Sequence, residues 1–303
     1  MTTKSPRTAS ALPIIELASG TQRLQVLPTL GGSIAAWDWK LEQRWSPLFR
    51  SWDGQSRDCC STACFPLVPW SNRMTEGGFN HQGQHYPVLE NRQGEPYPIH
   101  GDAWLQKWRV TGRTPNSVEL TLKSNEFEAN PYVYRCTQTL TLLNDGLSIA
   151  LAVTHLGAES LPYGIGLHPY FPRNAATRFC ARADGVWLSG KDPIPTAHTS
   201  SFPQTWNYNQ PAALEGPLID NCFTGWDGKA LISYPDRGLQ LTMMAENCNG
   251  YSLMYRPPGR DYFCFEPVTH PIDAFHMSGK PGMAVLSRGQ TLSLKTSFRV
   301  SPV

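Results

Sequence analysis

Apolar and polar positions alternate with a period of two along most of the chain, which is the signature of half-buried strands rather than helices. In VELTLKS (118–124), Val118, Leu120 and Leu122 share a face, and in LQLTMMAE (239–246) Leu239, Leu241 and Met243 do the same. The stretch VYRCTQTLTLLNDGLSIALAVTHLG (133–157) contains two such runs joined at Asn144-Asp145-Gly146. An Asp-Gly turn tolerating positive φ predicts a tight hairpin there. A second hairpin is expected over 251–267, turning at Pro257-Pro258-Gly259, and the C-terminal 290–300 is a further strand. With 26 prolines and 25 glycines spread throughout, few windows can hold a three-turn helix. The expected fold is all-β, a large antiparallel β-sandwich. No composition shift, linker or internal repeat divides it, so 1–303 is expected to be a single domain with 1–12 mobile. The Pro-rich 192–217 is expected to be a long irregular excursion of the kind that lines sites.

Composition narrows the partners. Charged residues are only 17% of the 303, the net charge is +2 and no basic run occurs, so neither nucleic acid nor an anionic membrane is indicated. An uncharged small molecule such as a sugar suits this balance better. The eight cysteines are scattered without a C-x-x-C pair or zinc spacing, and the N-terminus has no signal-like apolar core. These features predict a cytoplasmic protein with reduced thiols.

Five short stretches carry candidate chemistry. FCFEPVTHP (263–271) ends an apolar run on Glu266, either because the strand has reached solvent or because it delivers one acid into a pocket. LPYGIGLHPYFP (161–172) holds His168 among glycines 164 and 166, which permit close approach, and aromatics 163, 170 and 171, which suit stacking on a sugar. A backbone-bonded core histidine would look the same. CFPLVPWSNRM (64–74) brings out Asn72 and Arg73, a loop polar pair or a set of donors for hydroxyls. His100 and Asp102 in IHGDAW, and Asp220 in LIDNCF, are turn or cap residues as readily as site residues.

In order, NR (72–73), HG (100–101), GLHPYF (166–171), Asp220 and FEP (265–267), together with TLGGSIAAWDW (29–39), resemble the aldose 1-epimerases, or galactose mutarotases, from about residue 20 to the C-terminus. The resemblance implies a β-supersandwich that interconverts the anomers of a free hexose without metal or cofactor. It implies Glu266 as catalytic base, His168 as catalytic acid, and Asn72, Arg73, His100 and Asp220 as substrate-binding residues. Leu167-His168-Pro169 and 267–275 depart from the better-known members and leave the sugar open. On ordinary pKa values Glu266 is the base near neutrality, and a carboxylate near His168 would raise the imidazole to serve as acid. The two groups are expected on opposite sides of the C1–O5 unit. The alternatives are an epimerase of a phosphorylated or sulfonated hexose, drawing cations from Arg44, Arg50, Arg173, Arg256 or Arg260, and a non-catalytic carbohydrate-binding protein. A glycosidase would want two carboxylates, and a metal cupin an H-x-H pair.

Overall fold

The computed structural model describes residues 12–303, and the expectation of a mobile segment over 1–12 falls, but for Leu12, outside the described residues. Strands and turns dominate; the described helices are four single 3₁₀ turns. A nine-stranded antiparallel sheet runs, in spatial order, Ala212–Ala213, Arg178–Ala181, Lys229–Tyr234, Leu239–Glu246, Thr291–Pro302, Gly146–His155, Val133–Leu143, Ser117–Asn125 and Arg109–Arg113. A second sheet runs Pro195–Thr199, Gly185–Ser189, Ile219–Thr224, Tyr251–Arg256, Tyr262–Val268, Gly166–Leu167 and Pro66–Leu67, with Tyr170–Pro172 also pairing on Tyr262–Val268. A four-stranded sheet over Ile15–Pro47 completes the framework.

Both predicted hairpins are present, but the first is built differently from the expectation. Leu143 pairs with Gly146, so the loop is Asn144-Asp145, and none of these residues takes a positive φ. Gly146 is required by close approach instead: a Cβ there would fall 1.8 Å from the carbonyl oxygen of Phe298 on the neighbouring strand. The segment 192–217 also differs, since Pro195–Thr199 is a strand pairing with Gly185–Ser189.

The burial of each sheet explains its sequence. Val133–Leu143 alternates buried and half-exposed residues, because one face meets the core and the other solvent. Tyr262–Val268 is buried at every position after the first, because both of its faces are covered. Alternation along that strand sends Phe263 and Phe265 one way and Cys264, Glu266 and Val268 the other. Phe263 and Phe265 enter the main core, where Phe263 meets Phe171 (5.4 Å between centroids) and Phe265 meets Phe179 (4.9 Å) and Trp226 (5.1 Å). Phe171 in turn reaches Phe298 of the nine-stranded sheet, at 6.3 Å. Cys264 and Val268 join a smaller apolar cluster with Phe65, Tyr170, Cys222 and Leu253. That cluster floors the cavity described next.

Candidate active site

Strand register assembles the cavity floor. Asp220 pairs with Tyr255, Tyr255 with Cys264, and Cys264 with Tyr170, which makes one cross-strand row. The next row is Cys222, Leu253 and Glu266. The flanking pairs Gly166–Val268 and Tyr170–Cys264 set the same register on either side of His168, which places it opposite Glu266. Directly opposed side chains start about 5 Å apart at Cβ, and His168 Nε2 indeed lies 3.3 Å from Glu266 Oε1. Glu266 is therefore mid-strand and 2% exposed, not at a solvent end.

Above this floor is an open cavity of about 410 Å³. All six residues to which the resemblance gives a catalytic or substrate-binding role line it: Asn72, Arg73, His100, His168, Asp220 and Glu266. Asn72 and His100 lie on two loop segments stitched together. The Asn72 N–H donates to His100 Nδ1 and the His100 N–H to the Asn72 carbonyl, both at 3.0 Å. Because Nδ1 accepts, the neutral His100 ring carries its proton on Nε2 and is a donor. Burial first, then the His168 ring and Arg73, hold His100 well below the ordinary histidine range, so it is neutral near pH 7.

Other features around His168 do different work from that expected. A Cβ on Gly164 would lie 1.9 Å from the His270 ring, so that glycine makes room for a packed side chain rather than a ligand. Tyr163 is buried against His155 and Phe171 lies in the main core; of these three aromatics only Tyr170 reaches the cavity. The His168 ring stacks at 4.7 Å on both Phe65 and Tyr170. Asp102 makes no side-chain cap; its carboxyl accepts from Tyr134 and, at 2.8 Å, from Asn130. Nothing from 192–217 lines the cavity. Thr205, Tyr208 and Pro217 from that region serve to hold the buried Arg256.

The electrostatics of the pair reverse the sequence-based expectation. Burial, and then the charge of Arg50, pushes His168 down to about 3. Burial, and then Asp220, pushes Glu266 well above the carboxylate range. Both shifts favour the uncharged forms, a protonated carboxyl beside a neutral imidazole. Neither His168 Nδ1 nor Glu266 Oε2 has a hydrogen-bonding partner among the described residues. The two groups touch and do not straddle a ring-sized gap, as neighbouring register positions must.

Of the arginines weighed for an anionic substrate, Arg44 lies on an exposed strand and Arg173 and Arg256 are bound to carbonyls. Arg50 and Arg260 line the cavity. Arg50 donates to the carbonyls of Cys60 (2.7 Å) and Thr62 (2.9 Å) and lies 3.8 Å from the Tyr170 ring centroid. Sequence reasoning missed Arg92, paired with Asp58 at 3.1 Å, and Glu95, paired with Arg73 at 3.0 Å. Both lie in NRQGEPYP (91–98), a polar loop with no periodic signal.

An architecture of several antiparallel sheets is that of galactose mutarotase-like folds. The chain belongs to the aldose 1-epimerase family, whose sequence model matches residues 13–299. It is similar to the uncharacterized protein YphB of Escherichia coli K12, 33% identical over 262 residues, covering 84% of this chain and 89% of that protein. It is also similar to the uncharacterized protein YihR of the same organism, 26% identical over 71% of this chain and 75% of that one. Among solved structures, a candidate aldose 1-epimerase from E. coli K12 superposes with a TM-score of 0.89 at 31% identity, covering 96% of this chain and 99% of that one. A GalM/aldose epimerase homologue from Caenorhabditis elegans shares the fold, with a TM-score of 0.83 at 17% identity over 97% and 100% of the two chains. No helix among the described residues is long and apolar enough to cross a membrane.

Proposed function

We propose that the protein is an aldose 1-epimerase that interconverts the α and β anomers of a free hexose, with Glu266 as base and His168 as acid. The observation that supports this reading is the buried, mutually contacting His168–Glu266 pair on the floor of the cavity. Mutarotation requires a proton to leave O1 while another reaches the ring oxygen O5. Both oxygens are attached to C1, so a single wall bearing two adjacent proton-transfer groups can serve them together. With both groups uncharged the carboxyl proton is on Glu266; passing it to His168 Nε2 gives a carboxylate to accept from O1 and an imidazolium to donate to O5. Sugar hydroxyls bonded to the carboxyl would lower the cost of that charge separation. Ring closure on the other face reverses both transfers and restores the starting proton count. Arg73, Asn72, His100 and Asp220 supply donors and acceptors to hold the sugar, and no step calls for a metal or a redox group.

A hexose bearing a phosphate or sulfonate is the second reading. The guanidinium of Arg260 at the cavity edge has no hydrogen-bond or ion-pair partner among the described residues, which favours it. NMR exchange spectroscopy on free, phosphorylated and sulfonated hexoses separates the two. Anomer exchange accelerated for a free hexose supports the first; acceleration confined to the anionic sugars supports the second. No acceleration of any of them leaves a sugar-binding protein without catalysis.

A further inference from the structure

Arg73 is gripped from two sides. Glu95, in the irregular stretch between the strand Gln84–Pro87 and His100, accepts from Arg73 Nε (3.0 Å) and Nη2 (3.3 Å). Asp220 Oδ2 and Asn72 Oδ1 accept from Nη1 at 3.1 and 3.3 Å. Every nitrogen of the guanidinium is thus engaged, and the side chain is only 10% exposed. Glu95 is itself on an anchored loop: Asn91 donates to the carbonyls of Ile99 (2.8 Å) and Gly101 (2.7 Å) and accepts from the Ile99 N–H (2.9 Å).

We propose that Glu95 is a positioning residue which, through Arg73, sets the charge presented to the His168–Glu266 pair and so the ease with which that pair releases its proton. What matters is the balance of charge around a buried pair. Arg73 alone would place a full positive charge on the wall near Glu266. Clamped between Glu95 and Asp220 it becomes part of a triad with net charge −1. Asp220 strengthens the hold of Glu266 on its proton and Arg73 weakens it, so the compensation of Arg73 matters. Few other groups can take over that control. Burial holds His100, Cys64, Cys222, Cys264 and Tyr170 in their neutral forms. Arg50 and Arg92 act on His168 rather than on the carboxyl. Asp58 is paired with Arg92, and Arg260 stands at the cavity edge.

The kinetic part of this inference rests on the mutarotase reading; the titration does not. The test is a ¹³C NMR titration of the Glu266 carboxyl in protein labelled at glutamate carboxyls, assigned with Glu266→Gln, in wild type, Glu95→Gln and Glu95→Asp. Glu95→Gln keeps the volume and removes the charge, so the Glu266 midpoint should fall by on the order of one pH unit, the scale of one nearby charge. Glu95→Asp should restore most of it. The basic limb of kcat/KM for the accepted sugar should move the same way. An unchanged midpoint in a Glu95→Gln protein with wild-type circular dichroism and Tm would overturn the proposal, as would an equal shift in both variants. Should wild type show no anomer exchange with any sugar, the mutarotase reading falls while the titration still decides the role of Glu95.

Discussion

Two of the histidine–carboxylate contacts among the described residues have opposite electrostatic character. His168 meets Glu266 at 3.3 Å on the cavity floor, and His276 meets Asp273 at 2.7 Å on the loop after that strand. All four side chains are mostly buried, with exposures of 9% and 3% in the first pair and 17% and 8% in the second. Yet His168 is driven down, and His276 is raised, chiefly by its hydrogen bond to Asp273. The difference is burial first, with Arg50 acting on His168 and a second carboxylate, Glu76, lying 3.6 Å from His276; the supply of donors to the carboxylate differs as well. Asp273 accepts from the Thr75 N–H and hydroxyl, both at 2.9 Å, as well as from His276. Glu266 has one oxygen without a partner, and its neighbour is a histidine that burial keeps neutral. A charged carboxylate needs donors more than it needs an imidazole alongside. The structural pair has them built in, whereas one oxygen of the cavity carboxyl has none among the described residues.

That contrast breaks most readily at the cavity. Glu266→Gln or His168→Ala should lower kcat for anomer exchange by about 10²–10⁴-fold, the usual worth of a positioned proton-transfer group. Exchange-NMR rates near wild type in either variant would remove the pair from the mechanism. Arg73→Ala comes next: kcat/KM should drop by roughly 10- to 100-fold, the equivalent of one or two charge-assisted hydrogen bonds, with KM and kcat both affected. A change in KM alone would make Arg73 a uniform binding group and nothing more.

The pH dependence sharpens the comparison with a smaller effect. An ordinary histidine would gain a proton as pH falls through about 6.5. His168, pushed down to about 3, should not, so kcat/KM should change by less than about 2-fold between pH 7 and pH 5.5. An acid limb near pH 6.5 would show that His168 is not shielded as the structure requires. The smallest effect belongs to the other pair. Because His276 is raised in the folded state, its contribution is fully present below its unfolded value of about 6.5 and disappears as pH climbs through the folded one. His276→Gln should cost about 1 kcal/mol in urea unfolding at pH 5.5 and less at pH 9. An equal loss at both pH values would mean that packing, not charge, makes the contact.

How much of this was legible in the sequence can be judged position by position. Alternation at 118–124, 133–157 and 239–246 revealed strands because one face of the nine-stranded sheet is wet, and a wet face leaves polar residues at every second place. The same logic was silent for Tyr262–Val268, covered on both faces, where Glu266 stood out only as a lone acid in an apolar run. Gly146 and Gly164 were visible as glycines, but what they make room for, Phe298 and His270, is more than 100 residues away in each case.

The sequence by itself determined the all-β class, both hairpins and six of the polar residues that line the cavity, because strand periodicity and short ordered motifs are local properties of the chain. Tertiary structure alone decided that His168 stands opposite Glu266, since register on a shared strand depends on pairings far apart in sequence. It also decided that burial drives both members of the pair toward their uncharged forms and that Glu95 holds Arg73. Desolvation and ion pairing depend on what surrounds a side chain in space, and neighbours in sequence do not specify that.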